Sequence, residues 1–249
     1  PVEVFDANGK TSIKGQVTFE NVHFGYTPDK IIINDFSMYI KPGKKIAIVG
    51  PTGAGKTTIV KLLMRFYELN SGSIYIDGIK TTDMRRSDLR SLFGMVLQDT
   101  WLFHGTIMEN IRYGRLDATD EEVIAAAKAA HAHRFIQTLP EGYQTVLNEE
   151  TSNVSQGQKQ LLTIARAAVA APPVLVLDEA TAGLDPIIRD QVLEVFNDFT
   201  RSDNHSILIS SHILSDLEKL CDYIAFLHQG RLLFCDEKDA LLDGYGIFI

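Results

Sequence analysis

The sequence predicts an α/β fold with a mostly parallel sheet, an antiparallel β portion near its start and a helical insertion. Residues 46–49, which follow Lys45, and residues 174–177 are short, continuous apolar runs, which is typical of parallel strands covered on both faces. Residues 17–24 instead alternate apolar and polar side chains, as a half-buried antiparallel strand does. From 107 to about 168 the pattern turns helical. We therefore expect one domain, with a β-rich and α/β core at 16–100 and 172–249 and a helical subdomain at about 101–171.

Length and composition are those of a globular chain. Its 249 residues are 45% apolar and 22% charged, which suffices for a sizeable core. The formal net charge of −8 offers no broad cationic surface, so nucleic acid is not an expected partner. Two cysteines without zinc-type spacing fit a reducing, cytosolic compartment. No apolar run reaches the roughly 20 residues of a membrane span, and residues 1–4 lack the blocks of a signal peptide. Because the chain starts at Pro1 rather than at methionine, we expect either a piece of a longer protein or a trimmed chain.

The N-terminal portion is predicted to be rich in strands. Residues 1–15 are polar and are expected to be irregular. Strands are then expected at 17–24, from the apolar run at 31–33 toward 36–40, at 45–49, at 73–78 with a turn, and at 93–98. Because the apolar residues of 58–65 have helical spacing, a helix is expected there.

The remainder of the chain is predicted to begin with helices and then to alternate between strands and helices. Helices are expected at 121–130 and 156–171, followed by the strand at 174–177. A helix at 187–199, a strand at 206–210, a helix at 214–220 and a strand at 223–227 follow, with a turn at Gly230.

A phosphate-binding loop is the strongest functional signal in the chain. The motif G-x-x-x-x-G-K-[ST] is matched completely, between an apolar strand and a helix-forming segment. Lys56 can reach the β- and γ-phosphates of a nucleotide, and Thr57 can bind Mg²⁺. The alternative is a glycine-rich turn with an incidental lysine. The residues of this P-loop are Gly50, Pro51, Thr52, Gly53, Ala54, Gly55, Lys56 and Thr57.

Two carboxylates follow the apolar run at 174–177. Asp178 and Glu179 stand at the carboxyl end of this predicted strand, where doubly wound sheets bind their ligands. With a P-loop upstream, Asp178 is expected to hold Mg²⁺ or its bound water. Glu179 is expected to orient and polarise the water that attacks the γ-phosphate. The alternative is an acid pair at a helix start; with the P-loop, the pair predicts a P-loop NTPase core.

A second anion site is predicted at the start of the helix at 156–171. The segment Val154-Ser155-Gln156-Gly157-Gln158 places a hydroxyl and a glycine at a helix N-terminus. It resembles the signature of the nucleotide-binding domains of ATP-binding cassette (ABC) transporters, Leu-Ser-Gly-Gly-Gln, with valine for the leucine and glutamine for the first glycine. The form Ser-Gln-Gly-Gln resembles the signature of exporter-type members of the family. The resemblance implies that Ser155, Gly157 and Gln158 contact ATP bound to a second subunit; the alternative is an ordinary serine-capped helix.

The resemblance covers nearly the whole chain and assigns further roles. Tyr26 matches the aromatic residue that stacks on adenine, with a core tyrosine as the alternative, and Thr58 extends the P-loop contacts. Gln98 matches the glutamine that touches Mg²⁺ or the water and relays the nucleotide state to the membrane partner. His212 matches the histidine that contacts the γ-phosphate, although a histidine after a strand is often structural. The segment 182–185 resembles the D-loop at the family's dimer interface, and a capped loop before a helix would look the same.

Two parts of the chain resemble different members of the family. Residues from about 17 to 178 are similar to the cassettes of exporters whose membrane helices are fused upstream. Segments 182–186 and 210–218 are more similar to stand-alone cassette ATPases that associate with separate permeases. Two hypotheses follow: a hybrid with its junction near 177–184, or natural divergence. In a hybrid, ATP binding would survive while coupling to a transporter would be lost.

The resemblance implies an ATPase domain that uses Mg²⁺ and acts as a head-to-tail dimer. The implied partners are ATP, a second cassette of the same or another chain, and the membrane domains of a transporter, at the cytoplasmic face of a membrane. One alternative is a folded ATP-binding scaffold with little turnover and no transport coupling. A cassette that acts on nucleic acid or ribosomes is disfavoured by the acidic charge. The residues assigned to the chemistry are Lys56, Thr57, Gln98, Asp178, Glu179 and His212.

Overall fold

The computed structural model describes residues 2–6, 9–148, 153–200, 205–211 and 213–245, with side chains from residue 13 to residue 244 of these ranges. Its strands are β1 (Val2–Asp6), β2 (Gly9–Ile13), β3 (Val17–Phe24), β4 (Ile33–Ile40), β5 (Lys45–Val49), β6 (Ser71–Ile76), β7 (Ile79–Lys80), β8 (Phe93–Leu97), β9 (Gly105–Thr106), β10 (Val146–Leu147), β11 (Val174–Asp178), β12 (Ser206–Ser210), β13 (Tyr223–His228) and β14 (Arg231–Glu237). Its helices are α1 (Lys56–Leu63), α2 (Arg86–Ser91), α3 (Ile107–Arg112), α4 (Asp120–Ala129), α5 (His133–Thr138), α6 (Gln156–Ala170), α7 (Pro186–Phe199), α8 (Leu214–Leu220) and α9 (Lys238–Tyr245).

The chain divides into two compact units. The first comprises Pro1–Phe93, Pro173–Asp178 and Thr200–Ile249, and the second comprises Gly94–Pro172 and Glu179–Phe199. The first unit therefore contains the P-loop and Asp178, and the second contains the Ser155 segment and Glu179.

A mostly parallel sheet supports the first unit. It contains strands in the order β14-β13-β5-β12-β11. β5 lies parallel to β12 and β13, and β11 lies parallel to β12, whereas β14 pairs antiparallel with β13. The apolar side chains of β11, and those of β5 except Val49, are almost fully buried, as expected for strands covered on both faces. Because these strands are parallel, the P-loop after β5 and Asp178 at the end of β11 lie at the same edge of the sheet.

An antiparallel sheet forms the second layer of this unit. Its strand order is β4-β3-β6-β7, and β3 pairs antiparallel with both β4 and β6. Phe19 of β3 and Phe36 of β4 are fully buried and meet edge to face, with ring centroids 5.2 Å apart. The predicted fold class, with a mostly parallel sheet and an antiparallel N-terminal portion, is confirmed.

Helices dominate the second unit. α3, α4 and α6 pack together through buried apolar side chains such as Ile111, Val123 and Leu162. Thr106 and Thr119 begin α3 and α4 with capping boxes, in which a threonine hydroxyl and a glutamate carboxylate each accept a backbone N–H. None of the helices in the described ranges combines the length and apolar composition that crossing a bilayer requires.

The structure corrects the sequence prediction at several elements. The prediction of an irregular segment at 1–15 was wrong, because β1 and β2 form an antiparallel hairpin there. A polar composition does not exclude such a hairpin, because backbone groups form the hydrogen bonds between paired strands. Within the predicted helical subdomain at about 101–171, β9 and β10 form a short antiparallel pair. The prediction also missed β14 and α9 and placed the start of α1 two residues late, since Lys56 and Thr57 already belong to the helix.

Candidate functional site

The P-loop joins β5 to α1 through a backbone that needs glycine. Gly50, Gly53 and Gly55 have φ angles of 155°, 81° and 109°, in the region that L-amino acids rarely adopt. A Cβ atom on Gly55 would lie 2.6 Å from Cδ1 of Ile33. The backbone conformation thus favours glycine at this position, and a larger residue would also displace the end of the Ile33 side chain.

Lys56 folds its ammonium group back over the loop. Its Nζ donates hydrogen bonds to the carbonyl oxygens of Gly50 at 2.7 Å and Pro51 at 3.3 Å. These are neutral acceptors, and phosphate oxygens would form stronger, charge-assisted bonds with the same group. The loop therefore holds a positive charge beside the N-terminus of α1, where anions are favoured.

Replacing Gly50 by alanine is expected to deform the loop. A Cβ atom there would lie 2.1 Å from the carbonyl oxygen of Leu227, so the backbone must shift. We expect the free energy of unfolding to fall by about 3 kcal/mol, together with a loss of nucleotide binding. Gly53→Ala is the control, because its positive φ is similar in kind but no atom lies within 4 Å of the added Cβ. Denaturant unfolding compares the two variants, and equal losses would contradict the steric explanation.

The two predicted Mg²⁺ ligands of the first unit lie side by side. Thr57 Oγ1 donates a hydrogen bond to Asp178 Oδ2 over 3.5 Å. Two oxygens in adjacent positions around octahedral Mg²⁺ are about 3 Å apart, so a small adjustment suffices to bind one ion. In the described ranges there is no cluster of three or more His, Cys, Asp or Glu residues suited to a metal. An ion at Thr57 and Asp178 would therefore complete its shell with phosphate oxygens and water.

Tyr26 presents an exposed ring beside the P-loop helix. Its side chain is 47% exposed, and its hydroxyl lies 3.3 Å from Oγ1 of Thr58 in α1. Phe24 and Tyr67 brace the ring edge to face, each with centroids 5.0 Å away. A fixed, half-exposed ring fits stacking on a base better than it fits a place in the core. The sequence analysis missed Tyr67, whose signal is the aromatic pair Phe66-Tyr67 after α1.

Gln98 and Glu179 belong to the second unit and follow the ends of strands. Gln98 is exposed and comes directly after β8. Glu179 comes directly after β11, is half-buried and has a φ of 51°, which costs a residue with a side chain about 1–2 kcal/mol. Its carbonyl oxygen accepts a hydrogen bond from the N–H of Ala182 at 3.0 Å.

The Ser155 segment caps α6 and stays at its surface. Ser155 Oγ accepts a hydrogen bond from the N–H of Gln158 at 3.2 Å, and Gln158 Oε1 accepts one from the N–H of Ser155 at 2.9 Å. Gly157 is buried, and a Cβ atom there would lie 3.1 Å from Cγ2 of Ile188. The serine cap is therefore present, and it leaves Ser155 exposed at a helix N-terminus that favours an anion.

The segment at 182–185 ends in a capped helix start. Asp185 Oδ1 accepts hydrogen bonds from the backbone N–H groups of Ile187 and Ile188, both at 3.1 Å. Gly183 has a φ of 73° and open space at its Cα. His212, which was predicted to contact the γ-phosphate, lies outside the described residues.

The structure gathers the predicted residues within each unit. In the first unit, Tyr26 and Asp178 both contact the start of the P-loop helix. In the second, Gln160 of α6 donates to the carbonyl oxygens of Leu97 and Ala180, which neighbour Gln98 and Glu179 in the chain. Sequence reasoning missed Gln160, whose signal is an amide within an otherwise apolar helix face.

Known proteins match most of this chain. Residues 33–182, more than half of the chain, match a family model described as ABC transporter. The chain is 46% identical over 237 residues to the "Fatty acid ABC transporter ATP-binding/permease protein" of Mycobacterium bovis, which covers 95% of this chain and 37% of that protein. It is 43% identical over 234 residues to the "Iron-sulfur clusters transporter atm1, mitochondrial" of Aspergillus fumigatus. That alignment covers 94% of this chain and 32% of the relative.

A solved structure has the same fold. The "Structure of a bacterial Atm1-family ABC exporter with ATP bound" superposes with a TM-score of 0.87 at 41% identity, over 94% of this chain and 40% of that one. The chain thus spans well under half the length of these relatives. The family match ends at residue 182, and the hypothesis of a hybrid with a junction near 177–184 stays a prediction.

Proposed function

Because this chain belongs to the ABC transporter family and is an ATP-binding cassette domain, we propose that it hydrolyses ATP with Mg²⁺ as a head-to-tail dimer. The observation that carries the proposal is the 3.5 Å approach of Thr57 Oγ1 to Asp178 Oδ2. This contact joins the Thr57 hydroxyl of the P-loop to the Asp178 carboxylate at the end of β11. Thr57 directly follows Lys56, whose ammonium group lies over the loop. Phosphoryl transfer from a nucleoside triphosphate requires this combination of a cation site and a phosphate-binding lysine.

The P-loop and Tyr26 hold the nucleotide in this proposal. Tyr26 stacks on adenine, while Lys56 and the N–H groups of the loop bind the β- and γ-phosphates. Thr57, Asp178 and Gln98 would hold Mg²⁺, which neutralises charge on the phosphate oxygens when bound. The exposed faces of Thr57 and Tyr26 support this assignment.

Glu179 acts on the attacking water. It orients the water and accepts its proton as the oxygen attacks the γ-phosphorus. The bond from the γ-phosphorus to the oxygen that bridges to the β-phosphate breaks, which releases ADP and inorganic phosphate. His212 would donate a hydrogen bond to the γ-phosphate. The place of Glu179 directly after β11, one residue beyond Asp178, supports this role.

The Ser155 end of α6 completes the site of a second subunit. Ser155 and Gly157 would contact the γ-phosphate of ATP bound to the partner's P-loop, and Gln158 fixes Ser155 through the capping bonds. Each dimer would then contain two such sites. The exposure of Ser155 at a helix start supports this arrangement.

We extend the proposal to the cassette's organisation and setting. The core would comprise 16–100 and 172–249 and the helical subdomain about 101–171. A compact unit that contains Gly94–Pro172 supports the helical subdomain, although that unit also includes Glu179–Phe199. The cassette would work with the membrane domains of a transporter, at the cytoplasmic face of the membrane. Support comes from a relative named as an ATP-binding and permease protein, of which this chain spans 37%.

Steady-state ATP hydrolysis over a wide range of protein concentration tests the proposal. We expect the rate per chain to rise with concentration, because the active species is a dimer. Omission of Mg²⁺ should abolish turnover. Thermal melts with and without nucleotide, run alongside, report binding separately, since ligand at 100 times its Kd stabilises a protein by about 2.7 kcal/mol.

The outcomes separate two functions. A rate per chain that rises with concentration and depends on Mg²⁺ supports the dimeric ATPase. A melt that shifts with ATP while turnover stays at background at every concentration would contradict it. That result would identify the alternative, an ATP-binding scaffold without turnover.

A further inference from the structure

Gln160 places a polar side chain inside the second unit. It lies in α6 and is only 1% exposed, among the buried apolar residues Leu161, Leu162 and Ile164 of the same helix. A buried amide needs hydrogen-bond partners to offset its desolvation. The hydrogen-bond partners of Gln160 therefore show which other segments α6 binds at this position.

The Gln160 amide holds two backbone carbonyls. Nε2 donates to the carbonyl oxygen of Ala180 at 2.7 Å and to that of Leu97 at 3.3 Å. An amide nitrogen has two donors, so these bonds use both. Neither carbonyl belongs to α6: one follows the end of β11 and the other is at the end of β8.

Both carbonyls adjoin residues that are proposed to act in hydrolysis. The Leu97 carbonyl is part of the planar peptide group that includes the N–H of Gln98, so holding the one fixes the other. Ala180 directly follows Glu179, within the turn that the Glu179 carbonyl and the Ala182 N–H close. One side chain thus fixes the backbone on which Gln98 and Glu179 are mounted.

The same helix carries the Ser155 cap. Gln160 lies five residues, or about 7.5 Å along the axis, from Ser155. The intervening helix is hydrogen-bonded from its capping box onward, so it transmits a shift of its N-terminus as a unit. A contact at Ser155 would therefore act on the peptide groups next to Gln98 and Glu179.

We infer that Gln160 is a positioning residue that couples the Ser155 end of α6 to Gln98 and Glu179. The inference rests on the proposed function, because those two residues act only if the chain hydrolyses ATP. In a purely structural role, Gln160 would stabilise the fold without affecting turnover per folded chain. The two roles make different predictions for kinetics and for local exchange.

Gln160→Met tests the coupling, because methionine is of similar length and volume but donates no hydrogen bond. We expect kcat per folded chain to fall by at least about tenfold, with the Kd for ATP changed by less than about threefold. Folded fractions come from thermal melts, and the assay is run well below the transition. Gln137→Met, the same change at an exposed position of α5, is the matched control and should leave both values unchanged.

Hydrogen exchange gives a readout that does not need activity. In Gln160→Met, the amides of Gln98 and Ala182 should exchange at least about tenfold faster than in the wild type, while those of the α6 interior stay protected. If Gln160→Met fails to fold, Gln160→Asn replaces it, since that side chain is one methylene too short to reach both carbonyls.

The outcomes are distinct. A wild-type chain without turnover would overturn the proposed function, and the exchange experiment would still decide whether Gln160 fixes the two segments. An active wild type with a kcat per folded chain that is unchanged in the variant would overturn the coupling alone. Unchanged exchange at Gln98 and Ala182 would also overturn it.

Discussion

Lys56→Ala is expected to weaken ATP binding about 100-fold, because the loss of a charge-assisted bond to phosphate costs about 3 kcal/mol. The ammonium group already lies over the loop, 2.7 Å from the Gly50 carbonyl, so nucleotide binding needs little rearrangement of this side chain. Alanine removes the charge and both bonds to the loop. Calorimetric titration with ATP and Mg²⁺ measures the change in Kd.

Lys61→Ala is the matched control for Lys56. Lys61 lies in the last turn of the same helix, so its removal makes the same change in net charge away from the loop. We expect its Kd to stay within about twofold of the wild type. If the two variants bind ATP equally well, the phosphates do not sit against Lys56, and the assignment of the P-loop as the nucleotide site is wrong.

The sequence predicted the helices and strands best where the pattern of apolar residues indicated a single type of element. The continuous apolar run at 174–177 became β11 because a strand buried on both faces needs no alternation. Ser206–Ser210 and Leu214–Leu220 were predicted with their observed bounds. The hairpin of β1 and β2 was missed because the polar composition of residues 1–15 was taken to indicate irregular structure.

At the candidate site, too, the sequence predicted some features and left others to the fold. Motif spacing identified Thr57 and Asp178, which are 121 residues apart in the chain, but their 3.5 Å approach depends on the order of parallel strands. The roles of Tyr67 and Gln160 were missed because an aromatic pair after a helix, or an amide within an apolar helix face, does not by itself indicate what the side chain contacts. Their positions follow from the rings and carbonyls that the fold brings to them.

Glu179→Gln is expected to lower ATP hydrolysis by at least about 100-fold, since glutamine cannot accept the proton of the attacking water. The substitution keeps the size of the side chain and removes one negative charge. Binding of ATP should therefore persist, and the bound nucleotide should hold two chains together. Light scattering after size exclusion, with ATP and Mg²⁺ present, should show a dimer that the wild type loses as it hydrolyses.

Glu194→Gln makes the same chemical change at an exposed position of α7 in the same unit, and it should hydrolyse ATP at the wild-type rate. Because both variants change the net charge equally, a lower rate of hydrolysis in Glu179→Gln alone would reflect a catalytic role rather than the change in net charge. Turnover by Glu179→Gln at the wild-type rate would show that the strained residue after β11 does not act on the water. Loss of turnover without an ATP-dependent dimer would keep that role for Glu179, but it would exclude the closed pair in which Ser155 completes the partner's site.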